Sequence, residues 1–261
     1  MRAMVAPLGE LVQFRLLLGG LVMRDLRVRY KRSVLGVLWA FLEPLALMLL
    51  FTVVFSRILR VDVPQYPLFA LTGIVVWGFL QSGVTHSLSS VTNNATLVKK
   101  TYFPREVLPM AVVLARATHF CISLALLLVF LAISGVPLGA SLAWLPAIIA
   151  VSVLLVLGVS LWLSSLSTMY DDIGFIVTFG FNCLFYLSPV VYPPSLVPAG
   201  MRAVYMLNPV AVLLGSFRSV LLEGQAPALV PFAAAVLASI AVFSSGLFVF
   251  RRMAWRFAEV L

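Results

Sequence analysis

The sequence predicts an all-α integral membrane protein of six transmembrane helices, with an amphipathic interfacial helix ahead of the first span and a re-entrant helical segment before the last. Three observations carry this reading. Hydrophobic residues make up 62% of the 261 positions and charged ones 10%, with a mean hydropathy of +1.11, values that do not suit a water-facing surface. Six apolar stretches each approach the roughly 20 residues that cross a hydrocarbon core. The 18 basic residues, against 9 acidic ones, are segregated between alternate loops. Six spans and their loops use up the length, which excludes a fused ATPase or soluble enzyme module. In a membrane chain the +9 net charge reads as loop bias rather than as an affinity for nucleic acid.

Ahead of the first span, Leu18, Val22, Leu26 and Tyr30 recur at i, i+4 while Arg24, Arg27 and Lys31 cluster opposite, the pattern of a helix lying along a membrane surface. Its basic side is either a lipid anchor or a docking surface for a cytoplasmic partner. Glu10, Gln13 and Arg15 interrupt the first twenty residues, so no cleaved signal peptide is expected. The spans are expected at Val34–Ile58, Leu68–Val91, Val107–Ser134, Leu142–Thr168, Ile173–Val191 and Ala228–Phe250. This gives one transmembrane domain over 1–261: a cytoplasmic interfacial helix at 8–32, a six-helix bundle at 34–250 and a cytoplasmic tail at 251–261.

With the N-terminus inside, the inner segments collect thirteen basic residues, among them Arg24, Arg27, Lys31, Lys99, Lys100, Arg105, Arg251 and Arg252. The outer segments hold four, Arg57, Arg60, Arg202 and Arg218, so both termini are expected in the cytoplasm. A seventh apolar stretch, Val210–Leu222, is only about thirteen residues long and follows a proline-rich run from Pro189 to Pro209. Crossing would place Arg251, Arg252 and Arg256 outside, so Asn208–Gly224 is read as re-entrant or interfacial.

In the second inner loop Asn93 and Asn94 are placed to cap a short helix through Lys100, which Tyr102, Phe103 and Pro104 end. The result is a small knob suited to a groove in another protein, or a plain turn with snorkelling lysines. Asp171 and Asp172 are placed to cap the fifth span. Catalytic chemistry is scarce. His86 and His119 lack metal-ligand companions, no phosphate loop precedes Lys31, Lys99 or Lys100, and Cys121 and Cys183 sit in apolar runs as packing residues. No metal, cofactor or ATP hydrolysis is expected on this chain. Glu43 and Arg116 each lie nine residues into a span, roughly 13 Å deep. They form a candidate buried ion pair, or else face a wet cavity separately.

Four segments then carry a resemblance. They are Arg29-Tyr30-Lys31-Arg32-Ser33-Val34-Leu35-Gly36 with Leu38-Trp39-Ala40 and Pro44, Phe103-Pro104-Arg105-Glu106-Val107-Leu108-Pro109, Leu187-Ser188-Pro189-Val190-Val191-Tyr192, and Leu207-Asn208-Pro209 with Phe217-Arg218. In this order, and over nearly the whole chain, they resemble the type-2 ABC exporter membrane subunits that move polysaccharides, including O-antigen, capsule and wall teichoic acid permeases. The resemblance implies a homodimer in the bacterial cytoplasmic membrane, enclosing a channel for a lipid-linked glycopolymer such as O-antigen. It also implies two separate ATPase subunits that carry the Mg-ATP. The contacts to those subunits would be Arg24, Arg27, Lys31, Asn93, Asn94, Leu97, Lys99, Lys100, Tyr102, Phe103 and Arg105. Asn208, Pro209, Phe217 and Arg218 would shape the outer exit. Glu43 stands beside Pro44 where many relatives carry an uncharged residue, so no lining role is carried over for it.

A glycan slides best past aromatic faces and hydrogen-bonding groups that hold no one sugar tightly. Trp39, Phe41, Phe51, Phe55, Phe69, Thr72, Trp77, Gln81 and Thr85 are the candidate channel wall. Capsule or teichoic acid export, or a drug or lipid exporter of the same superfamily, is the alternative. A membrane-embedded transferase is opposed by the lack of clustered Asp, Glu and His, and a proton-coupled carrier by the scarcity of midplane carboxylates.

Overall fold

The computed structural model describes residues 13–30, 38–137, 139–198, 200 and 208–261, and every regular element among them is helical. Helix α1 (Arg15–Tyr30) packs Leu17, Leu18, Leu21 and Val22, together with the preceding Phe14, against the body of the protein, an i, i+3, i+4 stripe. It is less two-faced than expected, because Leu16 and Met23 are exposed together with Arg27. Lys31 and the start of the first expected span, 34–37, lie outside the described residues.

Helix α2 (Trp39–Thr52) continues into a π-helical turn, Val53–Ile58, and α3 (Tyr66–Ser87) returns, starting on Pro67 near its N-terminus. A short turn, Thr92–Asn94, leads to α4 (Ala95–Lys100), the expected knob. Helices α5 (Val107–Ile133) and α6 (Leu145–Ser167, after a 3-10 turn at Ala140–Trp144) follow. Then come α7 (Ile173–Leu187), α8 (Pro209–Leu221), α9 (Leu229–Ala254) and α10 (Phe257–Val260). The expected boundary between bundle and tail at Phe250 falls inside α9.

Among the described residues five helical stretches are long and apolar enough to cross a membrane, against the six expected: Phe41–Ile58, α3, α5, the Ala140–Ser167 stretch that contains α6, and α9. The shortfall is α7, whose 15 residues rise about 22 Å, less than a hydrocarbon core of about 30 Å. It stops at Leu187 because Ser188 precedes Pro189 and takes an extended conformation, as a residue before proline does. The side chain of Asp172 does not cap this helix, contrary to expectation.

The apolar interior divides in two. The larger core joins α3, α5, α6 and α8 around Phe79, Phe120, Phe217, Leu127 and Leu213. A second core at the end of the bundle that carries α1 and α10, here the terminal end, gathers Leu21, Val98, Phe103, Val107, Phe250 and Phe257. Within the bundle α6 and α9 approach most closely, because Gly158 and Gly246 face each other. A β-carbon on Gly158 would sit 2.6 Å from the backbone of Phe243, and one on Gly246 would strike the carbonyl of Gly158. Backbone-to-backbone approach of this kind is how membrane helices associate without a hydrophobic driving force between them.

At the terminal end α5 is tied to α9 by a buried ion pair. Both Nε and Nη2 of Arg251 lie 2.9 Å from Oε1 of Glu106, whose side chain is 6% exposed. Removing one partner of such a pair strands the other charge, at a cost of about 3–5 kcal/mol. Arg251→Met alone is expected to lower stability by that amount, and Glu106→Met with Arg251→Met to recover most of it, read from thermal unfolding in detergent micelles. Losses that simply add, the double variant losing as much as Arg251→Met and Glu106→Met together, would show that the two side chains do not interact.

Candidate functional site

A cavity of about 680 Å³ opens between α2, α3, α5 and α7. Trp77, Gln81 and Thr85 reach it because they recur every four residues and so share one face of α3. Trp77 Nε1 donates to Gln81 Oε1 at 3.0 Å, fixing the indole. Phe181 and Phe185 of α7 meet the same indole edge-on at 5.8 and 5.6 Å, and Phe51 of α2 lies 6.0 Å from Phe185. Polar groups complete the lining: Glu43, Ser82, His86, Arg116, His119, Ser123 and Asn182. A half-open space with aromatic faces beside scattered hydrogen-bonding groups suits a polar, ring-shaped solute that is held loosely.

Of the expected wall residues, Phe51, Trp77, Gln81 and Thr85 line this cavity. The others do not. Trp39 is exposed at the start of α2 and Phe41 is half-buried outside the lining. Phe55 stacks on Tyr66 at 5.7 Å, Phe69 lies beneath Arg218, and Thr72 is fully buried, donating to the Leu68 carbonyl at 2.8 Å. Glu43 and Arg116 do not form the ion pair weighed above; both border the same cavity, and Glu43 is exposed there.

At the opposite, far end of the bundle two of the motif segments meet. Beyond α7 the chain runs irregularly through Pro189, Val190 and Val191, whose carbonyls have no helical partner. Arg218 of α8, 5% exposed, supplies the missing donors: Nη1 lies 2.5 Å from the Pro189 carbonyl and Nη2 lies 2.6 Å from that of Val190. Its guanidinium also sits 3.5 Å above the ring of Phe69. Tyr66 donates to the Val191 carbonyl at 2.6 Å. Asn208 caps α8 by accepting from the Val210 amide, and donates to Ser188 Oγ at 3.0 Å. Gly73 admits this loop, since a β-carbon there would strike the Val190 carbonyl. Both ends of α8 thus touch the far end, its start through Ser188 and its finish through Ser141, which donates to the Val220 carbonyl.

At the terminal end Arg24 of α1 donates to Asn94 Oδ1 at 2.9 Å, joining the first helix to the knob. Neither asparagine acts as the expected side-chain cap of α4. Asn94 instead donates to the Ser90 carbonyl, and Asn93 donates to Ser89 Oγ. Arg27, Asn93, Lys99, Lys100 and Tyr102 are exposed, Tyr102 at 97%, while Leu97 is half-buried. Phe103 is buried in the second core and Arg105 donates to the Ala254 carbonyl. These two are therefore supports of the knob rather than part of its outer surface.

The family model described as ABC-2 type transporter matches residues 17–222, a stretch that holds the cavity and the Arg218 loop. The chain belongs to the ABC-2 type transporter family. It is 32% identical to the O-antigen export system permease protein RfbA of Klebsiella pneumoniae, over 91% of this chain and 92% of that protein. It is 29% identical to the RfbA of Myxococcus xanthus over 98% and 99%. It is 23% identical to the polysialic acid transport protein KpsM of Escherichia coli over 78% and 80%.

In this ABC-2 transporter chain Asn182, Tyr186, His86 and His119 enter the cavity lining without having been singled out for it. His86 follows Ser82 by one turn in the row beside Trp77, Gln81 and Thr85, so widening that face by one residue finds it. Each charge-assisted bond from Arg218 to a carbonyl contributes about 1.5–3 kcal/mol. An Arg218→Lys variant keeps the charge but cannot bridge two carbonyls while covering Phe69. It is expected to speed hydrogen exchange at the Val190 amide about ten-fold or more, a loss of ~1.4 kcal/mol, measured by mass spectrometry of the 188–192 peptide. An unchanged rate would show that Arg218 does not hold the loop.

Proposed function

We propose that this chain is the permease subunit of an ATP-driven exporter that moves a polysaccharide, O-antigen in particular, across the bacterial cytoplasmic membrane. The cavity carries the reading. Edge-on aromatics beside Gln81, Asn182 and Thr85 offer sugar rings apolar faces and short-lived hydrogen bonds. The two relatives named O-antigen export system permeases match it nearly end to end. The polysialic acid transporter supports a second reading, capsule export, at lower identity.

On this reading the chain crosses six times, α7 completing its passage through the irregular Ser188–Tyr192 segment. That segment is tolerated in a membrane because Arg218 and Tyr66 satisfy its carbonyls. Helix α8 is the re-entrant element at the outer exit, α1 lies along the inner leaflet, and both termini are cytoplasmic. Two copies pair to close the conduit, since α2 and α7 border the cavity yet leave Leu49, Leu50, Phe175 and Phe179 exposed. Separate ATPase subunits hydrolyse Mg-ATP and bear on Arg24, Arg27, Lys99, Lys100 and Tyr102. The cargo is a lipid-linked glycan.

Tyr186→Ala is expected to lower surface polysaccharide several-fold, Tyr186→Phe to retain it, and Trp39→Ala to match the unmodified chain, with copurification of the ATPase subunit unaffected in all three. Full export by Tyr186→Ala combined with Asn182→Ala would remove this cavity from the polymer's path.

A further inference from the structure

The knob is too small to hold itself in place. Helix α4 has six residues, and isolated helices below roughly 12–15 residues are marginal in water. Of its side chains Val98 alone is buried, while Lys99, Lys100 and the following Tyr102 face outward. Whatever fixes the knob must lie behind Val98, and there the second core brings Phe103 together with Phe250 and Phe257 from the last two helices.

Two adjacent charges and an aromatic pair make the attachment. Arg105 donates to the carbonyl of Ala254, the last residue of α9, where a helix leaves carbonyls without partners and favours a cation. Its neighbour Glu106 pairs with Arg251, three residues earlier and so on the same face of α9. Beyond Ala254 the chain folds back as α10, packs on α4 and sets Phe257 edge-on against Phe250 at 5.3 Å, both rings fully buried. The grip extends inward. Gly246, one turn before Phe250, is where α9 meets α6, and Ser160 of α6 donates to the Gly83 carbonyl of α3 at 3.4 Å. Gly83 lies between Ser82 and Thr85, both in the cavity wall.

We propose that residues 251–261 are a clamp that fastens the knob to α9, with Phe257 as its positioning residue, so that a load on the knob moves α9 and α6 as well as the α3 and α5 that flank it in the chain. The assignment rests on the reading above of this chain as a permease driven by separate ATPase subunits, and gives a role to the segment behind the contact surface. A knob joined to two helices alone could tilt under load. Joined to a third, it drives the closely packed α6–α9 pair against α3 beside the cavity wall.

The test has two arms. In the full chain in nonionic micelles, Phe257→Ala is expected to speed hydrogen exchange in the 95–103 peptide at least ten-fold, Phe257→Leu to restore most of the protection, and Arg105→Gln to act in the same direction as the alanine variant. Leu127→Ala, an equally buried truncation in the larger core, should lower the melting temperature by a comparable amount and leave that peptide protected. In proteoliposomes that hold the chain with its ATPase subunit, Phe257→Ala should keep copurification and ATP hydrolysis while polysaccharide exported per ATP falls several-fold, with recovery in Phe257→Leu. Unchanged exchange at 95–103, or exchange there that rises as much in Leu127→Ala, overturns the clamp. Export that falls only in proportion to ATP hydrolysis overturns it too, being the mark of a general loss of structure. If the unmodified chain recruits no ATPase subunit while Phe257→Ala still frees the knob, the functional reading fails and the clamp stands, whereas normal export per ATP by the Phe257→Ala chain refutes the clamp alone.

Discussion

Arg218 holds two carbonyls of an unwound segment and covers the ring of Phe69 at once. In a hydrocarbon environment a chain can depart from helical geometry only where protein groups replace the hydrogen bonds that water would give. That constraint orders the whole far end. Pro189 ends α7 early, the freed carbonyls demand donors, and α8 exists in the position that brings a guanidinium to them. Asn208 sets the start of α8 and Gly73 leaves α3 bare where the loop passes. An arginine on a short apolar helix reads in isolation as an outer-loop charge; in place it is the group that lets the loop be buried.

Helix existence was largely legible in the sequence because hydropathy is a local property. Faces and partners were not. Phe69, Thr72 and Trp77 look equivalent along α3, but the first lies beneath Arg218, the second is fully buried and only the third meets the cavity. Nothing local says which side of a helix its neighbours occupy. Glu106 and Arg251, 145 residues apart, each passed for an ordinary charge at a helix end, and their pairing depends on how α5 and α9 come together. The pair actually weighed, Glu43 with Arg116, borders one cavity without meeting, since depth along a span does not say which way a side chain turns. Asn93 and Asn94 have the composition of caps, yet Arg24 competes for Asn94 and wins, since a charged donor outbids an amide.

The motif segments fared differently. Phe103-Pro104-Arg105-Glu106 is internal support: the phenylalanine fills the second core, the arginine grips Ala254 and the glutamate grips Arg251. The serine-proline and asparagine-proline segments form one hydrogen-bonded junction. The motif residues thus have internal duties, while Lys99, Lys100 and Tyr102 of the knob face outward.

The ring contacts of α7 have a mechanical consequence. Gly158 and Gly246 weld α6 to α9 through their backbones, whereas Phe181 and Phe185 rest on Trp77 by their edges, at about 0.5–1.5 kcal/mol per ring pair beyond area burial. Rings can slide and tilt where fused backbones cannot. The bundle is accordingly stiff where α6 meets α9 and yielding where α7 meets α3, so the width of the cavity can change at the expense of a few weak contacts.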